Sequence, residues 1–502
     1  MIIEDVSKRI IHGSRAVFIG KIGILLVTFL FTPIFVRVIG KENYGIFATI
    51  MGIYGLIFSV SILGLQDSAR KHIAQYKYME NGVSKMASFS LLLAICAGIL
   101  SALLGFIIIS YLYYYKKIDL EWFRYWLIVL FTLIFANIVE TIGSVLYGIY
   151  LERYVTIILL VRKVSFFVFA ILLVFSPLGF TGVFIGYAIG EIIGVIVAKY
   201  RLRGRVRLSL KWAVQGYREI GMKIVRFGVM NVIGVLSAVA LLQSDIIIVQ
   251  LFKGEAASGA LKAAHVSAEL ILLTTVAFQV VMLTNCAELW ETGRRKELID
   301  LGKSIWKYSF LILLLLSVGL WILAPSFIDI YFGVQFHDSI LPLRILLPGI
   351  FAYGLAQVLN PFIVGSGWIC INTILILFVV ILNIMLNIYL VPKYGIAGAA
   401  AGTSISLGLF LAISIIILHF RRLNIVKQFP ILKNALFAVL FMVLFAISNK
   451  HWPFGETLRL ICGPIIGVSI FALLASSLRI VSIKEVRSFI NYNNYTRSVK
   501  EP

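Results

Sequence analysis

Four side chains that can carry charge or form hydrogen bonds share one face of a predicted helix in an apolar part of the chain. They are spaced four, three and four residues apart: Ser258, Lys262, His265 and Glu269. Residues at these spacings lie one above another on an α-helix. If the helix spans a membrane, each ionisable group near its centre costs about 2.5–3.5 kcal/mol on insertion scales, so the stripe is expected to face a cavity instead of lipid. His265 and Glu269 could then bind a coupling proton or cation, and an internal ion pair between helices is the alternative.

Carboxylates also lie within two other apolar stretches. Glu140 shares a helical face with Asn137 and Ser144, and Glu191 follows Tyr187 by one helical turn. Glu140 lies too deep in its stretch to reach the membrane interface easily. Each acid therefore either pairs with a base on a neighbouring helix or binds a coupling proton or cation, and the sequence leaves both interpretations open.

Six basic residues lie within or at the ends of apolar stretches and form a candidate anion-binding set: Arg15, Lys21, Arg37, Arg162, Lys163 and Lys262. Guanidinium and ammonium groups stabilise an anionic group strongly where the local dielectric is low. Lys21 and Arg162 lie deepest in their stretches. Arg15 and Arg37 lie nearer the ends of theirs, where anchoring at the membrane interface is the alternative.

One acid and two amides are expected to have structural roles instead. Asp245 follows the predicted helix over 222–244, where we expect it to cap the helix or pair at the loop. Asn383 and Asn387 lie one helical turn apart, and uncharged amides in membrane helices mostly hold helices together. Contact with a ligand is the alternative for the amides.

The composition indicates the solvent that surrounds the chain. Hydrophobic residues make up 61% of the 502 positions, charged residues 14%, and the mean hydropathy is +1.00. Soluble domains have an apolar share nearer half. Stretches of about 20 apolar residues, long enough to cross a bilayer, occur at 14–38, 43–65, 87–114, 122–148, 153–175, 179–199, 222–244, 258–284, 304–324, 339–365, 370–391, 396–420, 431–449 and 458–478. The sequence thus predicts an all-α polytopic membrane protein with about fourteen transmembrane helices.

The net charge of +22 is distributed unevenly along the chain. Basic residues crowd alternate loops, most densely at 199–223 and 294–303, and the intervening loops hold few. By the positive-inside rule both termini are predicted to be cytoplasmic, which agrees with an even number of helices. The expected partners of these loops are anionic membrane lipids, and nucleic acid is not an expected partner.

The sequence predicts no metal site, disulfide or bound nucleotide. Cys96, Cys286, Cys370 and Cys462 lie in or at the ends of apolar stretches with no paired spacing. No G-x-x-x-x-G-K-[ST] motif occurs, so direct coupling to ATP is not expected. The first apolar stretch has no small-residue cleavage site and is expected to remain as an anchor.

Glycine and proline residues reveal an internal repeat. Two predicted hairpins carry the same set in the same order: Pro177, Gly179, Gly182 and Gly186 in the first, and Pro392, Gly395, Gly398 and Gly402 in the second. Gly40 and Gly45 correspond in the same way to Gly254 and Gly259, and small residues allow helices to approach closely. We predict two six-helix lobes related by this repeat, at 1–200 and 222–422. A basic cytoplasmic linker at 201–221 joins them, and two more helices at 423–480 and a cytoplasmic tail at 481–502 follow.

Two motifs in this repeat resemble those of a known family. The segments RVIG at 37–40 and YGIF at 44–47 are similar to a basic-x-Leu-Gly and Tyr-Gly-x-Phe signature. The segment LNIYLVP at 386–392, with Gly395 and the Gly-Ala-Ala that begins at Gly398, resembles an Asn-to-Pro-to-Gly-Ala-Ala hairpin. On these motifs the chain resembles the polysaccharide-type flippases of the multidrug, oligosaccharidyl-lipid and polysaccharide exporter superfamily.

The resemblance implies a function, a location and partners. It implies a flippase in the cytoplasmic membrane that moves a polyprenyl-(pyro)phosphate-linked oligosaccharide by alternating access. The implied partners are this substrate, membrane lipids and other polysaccharide-assembly proteins, with no cofactor beyond a coupling H⁺ or Na⁺. In the related lipid II flippases, basic residues that map onto Arg15, Lys21 and Lys262 line a central cavity, and the last two helices could offer a groove to the polyprenyl chain.

Two other functions compete with this one. A cation-coupled multidrug antiporter shares the fold, but an acidic or aromatic cavity would suit its substrates better than the basic residues named above. A membrane-embedded glycan-processing enzyme normally needs a catalytic domain or a long loop that holds acids and bases. All predicted outer loops are shorter than about 20 residues, well below domain size, so a transporter is expected and not an enzyme.

Overall fold

The structure is a computed structural model that describes residues 2–76, 79, 81–216, 222–426, 429–450, 455–478 and 480. Side chains are described for these residues except at 2–19, 21, 71, 74, 223, 224, 226, 227, 229, 230, 276–281, 283, 284, 431 and 457. Within this part of the chain the regular structure is entirely helical.

The α-helices occur in the following order: α1 Ile2–Ile39, α2 Lys41–Ser61, α3 Leu65–Gln75, α4 Gly82–Tyr114, α5 Leu120–Gly148, α6 Glu152–Val174, α7 Thr181–Leu202, α8 Leu210–Gly216, α9 Met222–Lys253, α10 Glu255–Glu269, α11 Leu273–Glu291, α12 Arg295–Tyr331, α13 Ile340–Gly365, α14 Ile369–Phe420, α15 Ile431–Lys450 and α16 Glu456–Ser477. A short 3₁₀ segment, Leu270–Leu272, joins α10 to α11, and another, Val334–Ser339, precedes α13.

Among the described residues, 13 helical segments are long and apolar enough to cross a membrane. One of them, α14, has 52 residues and contains Pro392 and a non-helical Gly395 with φ 59° and ψ −138°. Because 52 residues exceed the length needed for one crossing and the helix breaks at Gly395, α14 accounts for two of the predicted helices. The predicted polytopic all-α fold with about fourteen transmembrane helices is therefore confirmed.

Glycines pack the two predicted hairpins in the same way. In the first hairpin, a Cβ on Gly186 would overlap the backbone of Ala170, which brings α6 and α7 into close contact. In the second, a Cβ on Gly402 would come 2.9 Å from the Asn387 side chain, so the two halves of α14 pack against each other across the break. The predicted close helix contacts are confirmed at both positions.

Among the other repeated glycines, Gly45 and Gly259 lie against each other. Gly40 and Gly254 have φ angles of 80° and 81°, a left-handed conformation that glycine adopts without strain, and each ends one helix before the next begins. A Cβ on Gly45 would overlap the Glu255 carbonyl oxygen, and one on Gly259 would lie 3.1 Å from the Gly45 nitrogen. In this crossing α2 and the first half of α10 touch through backbone atoms.

Compactness divides the chain into two units. The first unit comprises residues 1–262 and 370–403, and the second comprises 263–369 and 404–502. The predicted lobes at 1–200 and 222–422 are defined by repeated sequence. The compact units are defined by contacts in the fold, and residues 222–262 belong to the first of them. The lobe boundaries stay a prediction.

Each unit has a core of its own. In the first unit, Leu65 on α3 packs with residues of α4 to α7 such as Met86 and Leu146. In the second unit, Phe437 and Phe441 on α15 are fully buried and pack against Phe471 on α16 with ring centroids 4.9 and 5.2 Å apart. The helices α15 and α16 thus belong to the second unit and pack on α12.

The backbone contact at Gly45 predicts that a methyl group there destabilises the protein. Gly45→Ala and Gly259→Ala should each lower the thermal midpoint of the detergent-solubilised protein, because α2 and α10 must separate to admit a Cβ, at a cost of about 1–3 kcal/mol. Gly408→Ala is the matched control, since a Cβ at Gly408 meets nothing within 4 Å. A Gly45→Ala variant as stable as Gly408→Ala would contradict the crossing.

Candidate functional site

A guanidinium held between two carboxylates lies within the membrane-spanning part of the first unit. Arg162 on α6 contacts Glu140 on α5 through Nη1 and Oε1 at 3.1 Å, and contacts Glu191 on α7 through Nε and Oε1 at 3.5 Å. The Glu191 side chain is only 1% exposed. For both predicted acids the structure thus has the ion-pair arrangement, and the two carboxylates share one base.

Tyrosines extend this cluster across the unit. Tyr187 lies one turn before Glu191 on α7, and the Tyr54 ring on α2 meets the Tyr187 ring edge to face at 5.7 Å. The Tyr54 and Thr132 hydroxyls are 3.3 Å apart. Four helices, α2, α5, α6 and α7, therefore contribute to one buried polar network. Tyr54 and Thr132 were not predicted as site residues, because sequence cannot place residues of separate helices side by side.

The next residue along α6 has a different environment. Lys163 lies over the rings of Phe166 and Phe167, with Nζ 5.6 and 5.2 Å from their centroids. It is repelled by Arg162 and by Lys262 on α10, which lies within electrostatic range, and is attracted by Glu191. Among the described side chains, neither lysine has a carboxylate oxygen within 4 Å. Two ammonium groups without a salt-bridge partner thus share this region of the first unit.

The other predicted basic residues divide into two groups. Arg37 is exposed at the end of α1, next to the turn at Gly40. The side chains of Arg15 and Lys21 lie outside the described residues, although the backbone of α1 is described. That backbone packs along α6, since a Cβ on Gly23 would lie 3.3 Å from Leu160. The helix that carries Arg15 and Lys21 therefore runs beside the helix that carries Arg162 and Lys163.

The predicted stripe of polar residues lies on a single helix, α10. Its Ser258 hydroxyl donates a hydrogen bond of 2.6 Å to Gln250 Oε1 in the first unit. In the second unit His265 is fully buried, and its Nδ1 is 4.0 Å from Glu269 Oε1, one turn further along the same helix. These two residues thus form a local contact in the second unit, and their coupling role stays a prediction.

A second buried polar cluster was missed. Asp245 lies inside α9, which continues to Lys253, so its predicted position at a loop was wrong. Its side chain is 0% exposed, and its Oδ2 accepts a hydrogen bond of 2.9 Å from the Thr403 hydroxyl. Asn383 Nδ2 donates to the same hydroxyl oxygen at 3.2 Å, and its Oδ1 accepts from Asn387 at 3.0 Å. The apolar residues 246–249 that follow Asp245 are the signal that the helix continues past it.

An apolar cavity of about 270 Å³ lies within the second unit. Leu316 and Phe327 on α12, Phe445 on α15 and Pro464 on α16 contribute to its wall. Residues of α12, α15, α16 and the 3₁₀ segment Leu270–Leu272 line it.

The shared base predicts a large loss of stability when it is removed. Arg162→Ala leaves the buried Glu191 and the partly exposed Glu140 without this counter-charge, and breaking a buried pair on one side destabilises by about 3–5 kcal/mol. The thermal midpoint of the purified protein should fall and should recover when Glu140→Gln and Glu191→Gln are added. An Arg162→Ala variant as stable as the unsubstituted protein would contradict the ion-pair network.

Comparisons with known proteins agree with this architecture. Residues 11–282 match the model of the family described as polysaccharide biosynthesis protein. An uncharacterized membrane protein of Methanocaldococcus jannaschii, MJ1068, is 21% identical over 393 residues, which is 75% of this chain and 77% of the relative.

Solved structures share the fold at low sequence identity. An inward-facing multidrug resistance transporter of the MATE family in the MOP superfamily has a TM-score of 0.70 at 15% identity, with 80% of this chain and 96% of that chain covered. The lipid II flippase MurJ in an inward closed conformation has a TM-score of 0.69 at 18% identity, with 93% and 98% covered. A MOP superfamily transporter from Pyrococcus furiosus has a TM-score of 0.61 at 18% identity, with 84% and 96% covered.

At these identities the likeness establishes the fold. Because the family match extends over more than half of the sequence, the chain belongs to the polysaccharide biosynthesis protein family.

Proposed function

We propose that the protein is a flippase that moves a polyprenyl-(pyro)phosphate-linked oligosaccharide across the cytoplasmic membrane by alternating access, in the assembly of a surface polysaccharide or glycan. One observation carries this proposal: in a chain of the polysaccharide biosynthesis family, the ammonium groups of Lys163 and Lys262 lie close enough to repel each other and have no carboxylate partner among the described side chains. A bound anion would relieve that repulsion.

The two kinds of basic residue on α6 suit different tasks. Arg162 has its charge balanced by Glu140 and Glu191, so it holds the helices together and has little charge left for a ligand. Lys163 lies against two phenylalanine rings, where low polarity strengthens its attraction to a phosphate oxygen. The pyrophosphate of a lipid-linked oligosaccharide carries the complementary charge. An organic cation, the substrate of the competing antiporter, would be repelled here.

The buried cluster around Asp245 suits a coupling cation. The Asp245 carboxylate and the Thr403 hydroxyl lie together and fully buried, and the Asn383 NH₂ group donates to that hydroxyl. Carboxylate and hydroxyl oxygens bind hard cations, so Na⁺ suits this pair of oxygens, and protonation of Asp245 is the alternative. Glu140 and Glu191 are less suited to coupling because both already pair with the Arg162 guanidinium.

The apolar cavity in the second unit suits the lipid tail. Its wall consists of leucine, phenylalanine and proline side chains, which match a polyprenyl chain in polarity. In this proposal the tail stays in the apolar phase and only the phosphate and the glycan cross through the protein. Other polysaccharide-assembly proteins would supply the substrate and use the product.

Loss of the unpaired lysines should abolish export without unfolding the protein. In a strain that lacks its own copy of the gene, Lys163→Ala with Lys262→Ala should reduce surface glycan at least tenfold, and the lipid-linked precursor should accumulate on the cytoplasmic face, as measured by mass spectrometry. Lys163→Arg with Lys262→Arg is the matched control and should retain most export, because both charges remain. Normal export by the double alanine variant at normal protein levels would refute the cationic site.

Removal of the buried acid should uncouple transport from the ion gradient. In proteoliposomes with an imposed Na⁺ gradient, flipping by the unsubstituted protein should rise several-fold over the rate without a gradient, and Asp245→Asn should lose this increase. Asp300→Asn, at an exposed carboxylate on α12, is the control and should respond like the unsubstituted protein. A response of Asp245→Asn equal to that of the control excludes Asp245 as the coupling site.

A further inference from the structure

A second cavity, of about 530 Å³, lies wholly within the first unit. It is formed near the end of α4, the start of α5, the end of α9 and the start of α10, on the side of the membrane that the predicted topology places outside. Its wall includes two tryptophans and several polar groups: Trp122, Trp126, Thr49, Gln250, Asp119 and Glu255. Neither the family nor the proposed anion site accounts for it.

Hydrogen bonds fix the polar groups of this cavity in place. The Trp122 indole Nε1 donates to Glu255 Oε1 at 3.3 Å. Gln250 Oε1 accepts from Ser258 at 2.6 Å and from Thr49 at 3.3 Å, while its NH₂ group donates to no described residue. A donor is therefore available beside the indole rings and next to a carboxylate.

The tryptophans do not belong to an interfacial aromatic belt. Aromatic belts place rings at the lipid headgroups, and α4 has such rings in Tyr111 and Tyr114, which are 60% and 80% exposed. Trp126, in contrast, is 6% exposed, and Trp122 is held by a bond to Glu255 inside the bundle. These two rings present surface to the cavity instead of to lipid.

A larger cavity of about 770 Å³ adjoins the cavity of about 530 Å³, and both are lined by Lys117, Ile118 and Asp119. Tyr113 and Phe123 line the larger cavity, with their rings stacked at 4.8 Å. Together the two cavities, of about 770 and 530 Å³, offer aromatic surface and polar groups to a ligand larger than a single sugar ring.

The charge around Glu255 argues against an anionic occupant. Glu42, Asp119 and Glu121 all lie close enough to interact electrostatically with Glu255. Among the residues that line the cavity, the carboxylates of Asp119 and Glu255 outnumber the single ammonium of Lys117, and this balance disfavours a phosphate. The cavity therefore suits a ligand with hydroxyl groups and apolar ring faces but no negative charge.

We propose that this cavity is an oligosaccharide-binding subsite that receives the uncharged sugar rings of the substrate on the outer side of the membrane. The proposal rests on the flippase function and names the part of the substrate that binds at the exit. The C–H face of a pyranose packs against the half-buried indole ring of Trp122, with Trp126 behind it in the cavity wall. Its hydroxyls donate to Glu255 and Asp119 and accept from the Gln250 amide. The phosphate remains with the lysines deeper in the first unit.

The test is binding of uncharged trisaccharides to the full-length protein in nanodiscs. Chitotriose and maltotriose serve as probes, inorganic pyrophosphate as the anionic control, and saturation-transfer NMR as the readout. At least one trisaccharide should bind. Trp122→Leu should weaken that binding at least tenfold, Trp122→Phe should keep most of it because a ring remains, and Trp321→Leu, at a tryptophan of the second unit, should leave it unchanged.

Further variants separate this proposal from the flippase proposal. Gln250→Ala removes the available NH₂ donor and should weaken trisaccharide binding. Because this substitution removes no large side chain, it still tests the site if Trp122→Leu fails to fold. Lys163→Ala with Lys262→Ala should still bind the trisaccharide. Failure of the unsubstituted protein to bind either probe, or unchanged binding by Gln250→Ala and a folded Trp122→Leu, overturns the sugar site alone. Trisaccharide binding without any flipping overturns the transport function and leaves the sugar site.

Discussion

The first unit depends on one arrangement of charges, the guanidinium of Arg162 between Glu140 and Glu191. A bare carboxylate inside a membrane is costly, and two near each other are costlier. By pairing with both, Arg162 ties α5, α6 and α7 together at mid-helix, where no backbone hydrogen bond can link one helix to another. The tyrosine network on α2 and α7 adds polar contacts to the same point. Hydrophobic packing gives little preference among helices in lipid, so such polar contacts determine which helices become neighbours.

Adjacent residues on α6 have different surroundings. Consecutive positions on a helix point about 100° apart, so Arg162 can turn to the carboxylates while Lys163 turns to Phe166 and Phe167. The sequence shows two neighbouring cations and cannot say which is neutralised. In the first unit the positive region of Lys163 and Lys262 is thus distinct from the acidic surroundings of Glu255. A substrate with a charged end and a neutral end has a complementary region for each.

Much of the fold could be predicted from the sequence because its signals are local. Apolar stretches give the helices, Pro392 and Gly395 give the break in α14, and repeated glycines give the close contacts at Gly186 and Gly402. The site was less predictable, since pairing depends on distances between helices. The predicted helix over 222–244 stops nine residues short of the end of α9 at Lys253, which is why the prediction puts Asp245 at a loop. Trp122 and Gln250 are ordinary residues for a membrane interface, and only the fold reveals that they line one cavity.

The contact between Gly45 and Gly259 also has a mechanical consequence. Most helix pairs interlock through side chains, which must disengage before the helices can turn relative to each other. At this crossing the backbones of α2 and α10 approach each other directly, and the Ser258 hydroxyl lies beside them. Few side chains thus interlock at this point, and because the two glycines come from equivalent positions of the repeat, a pivot between the helices would lie where the repeated sequences meet.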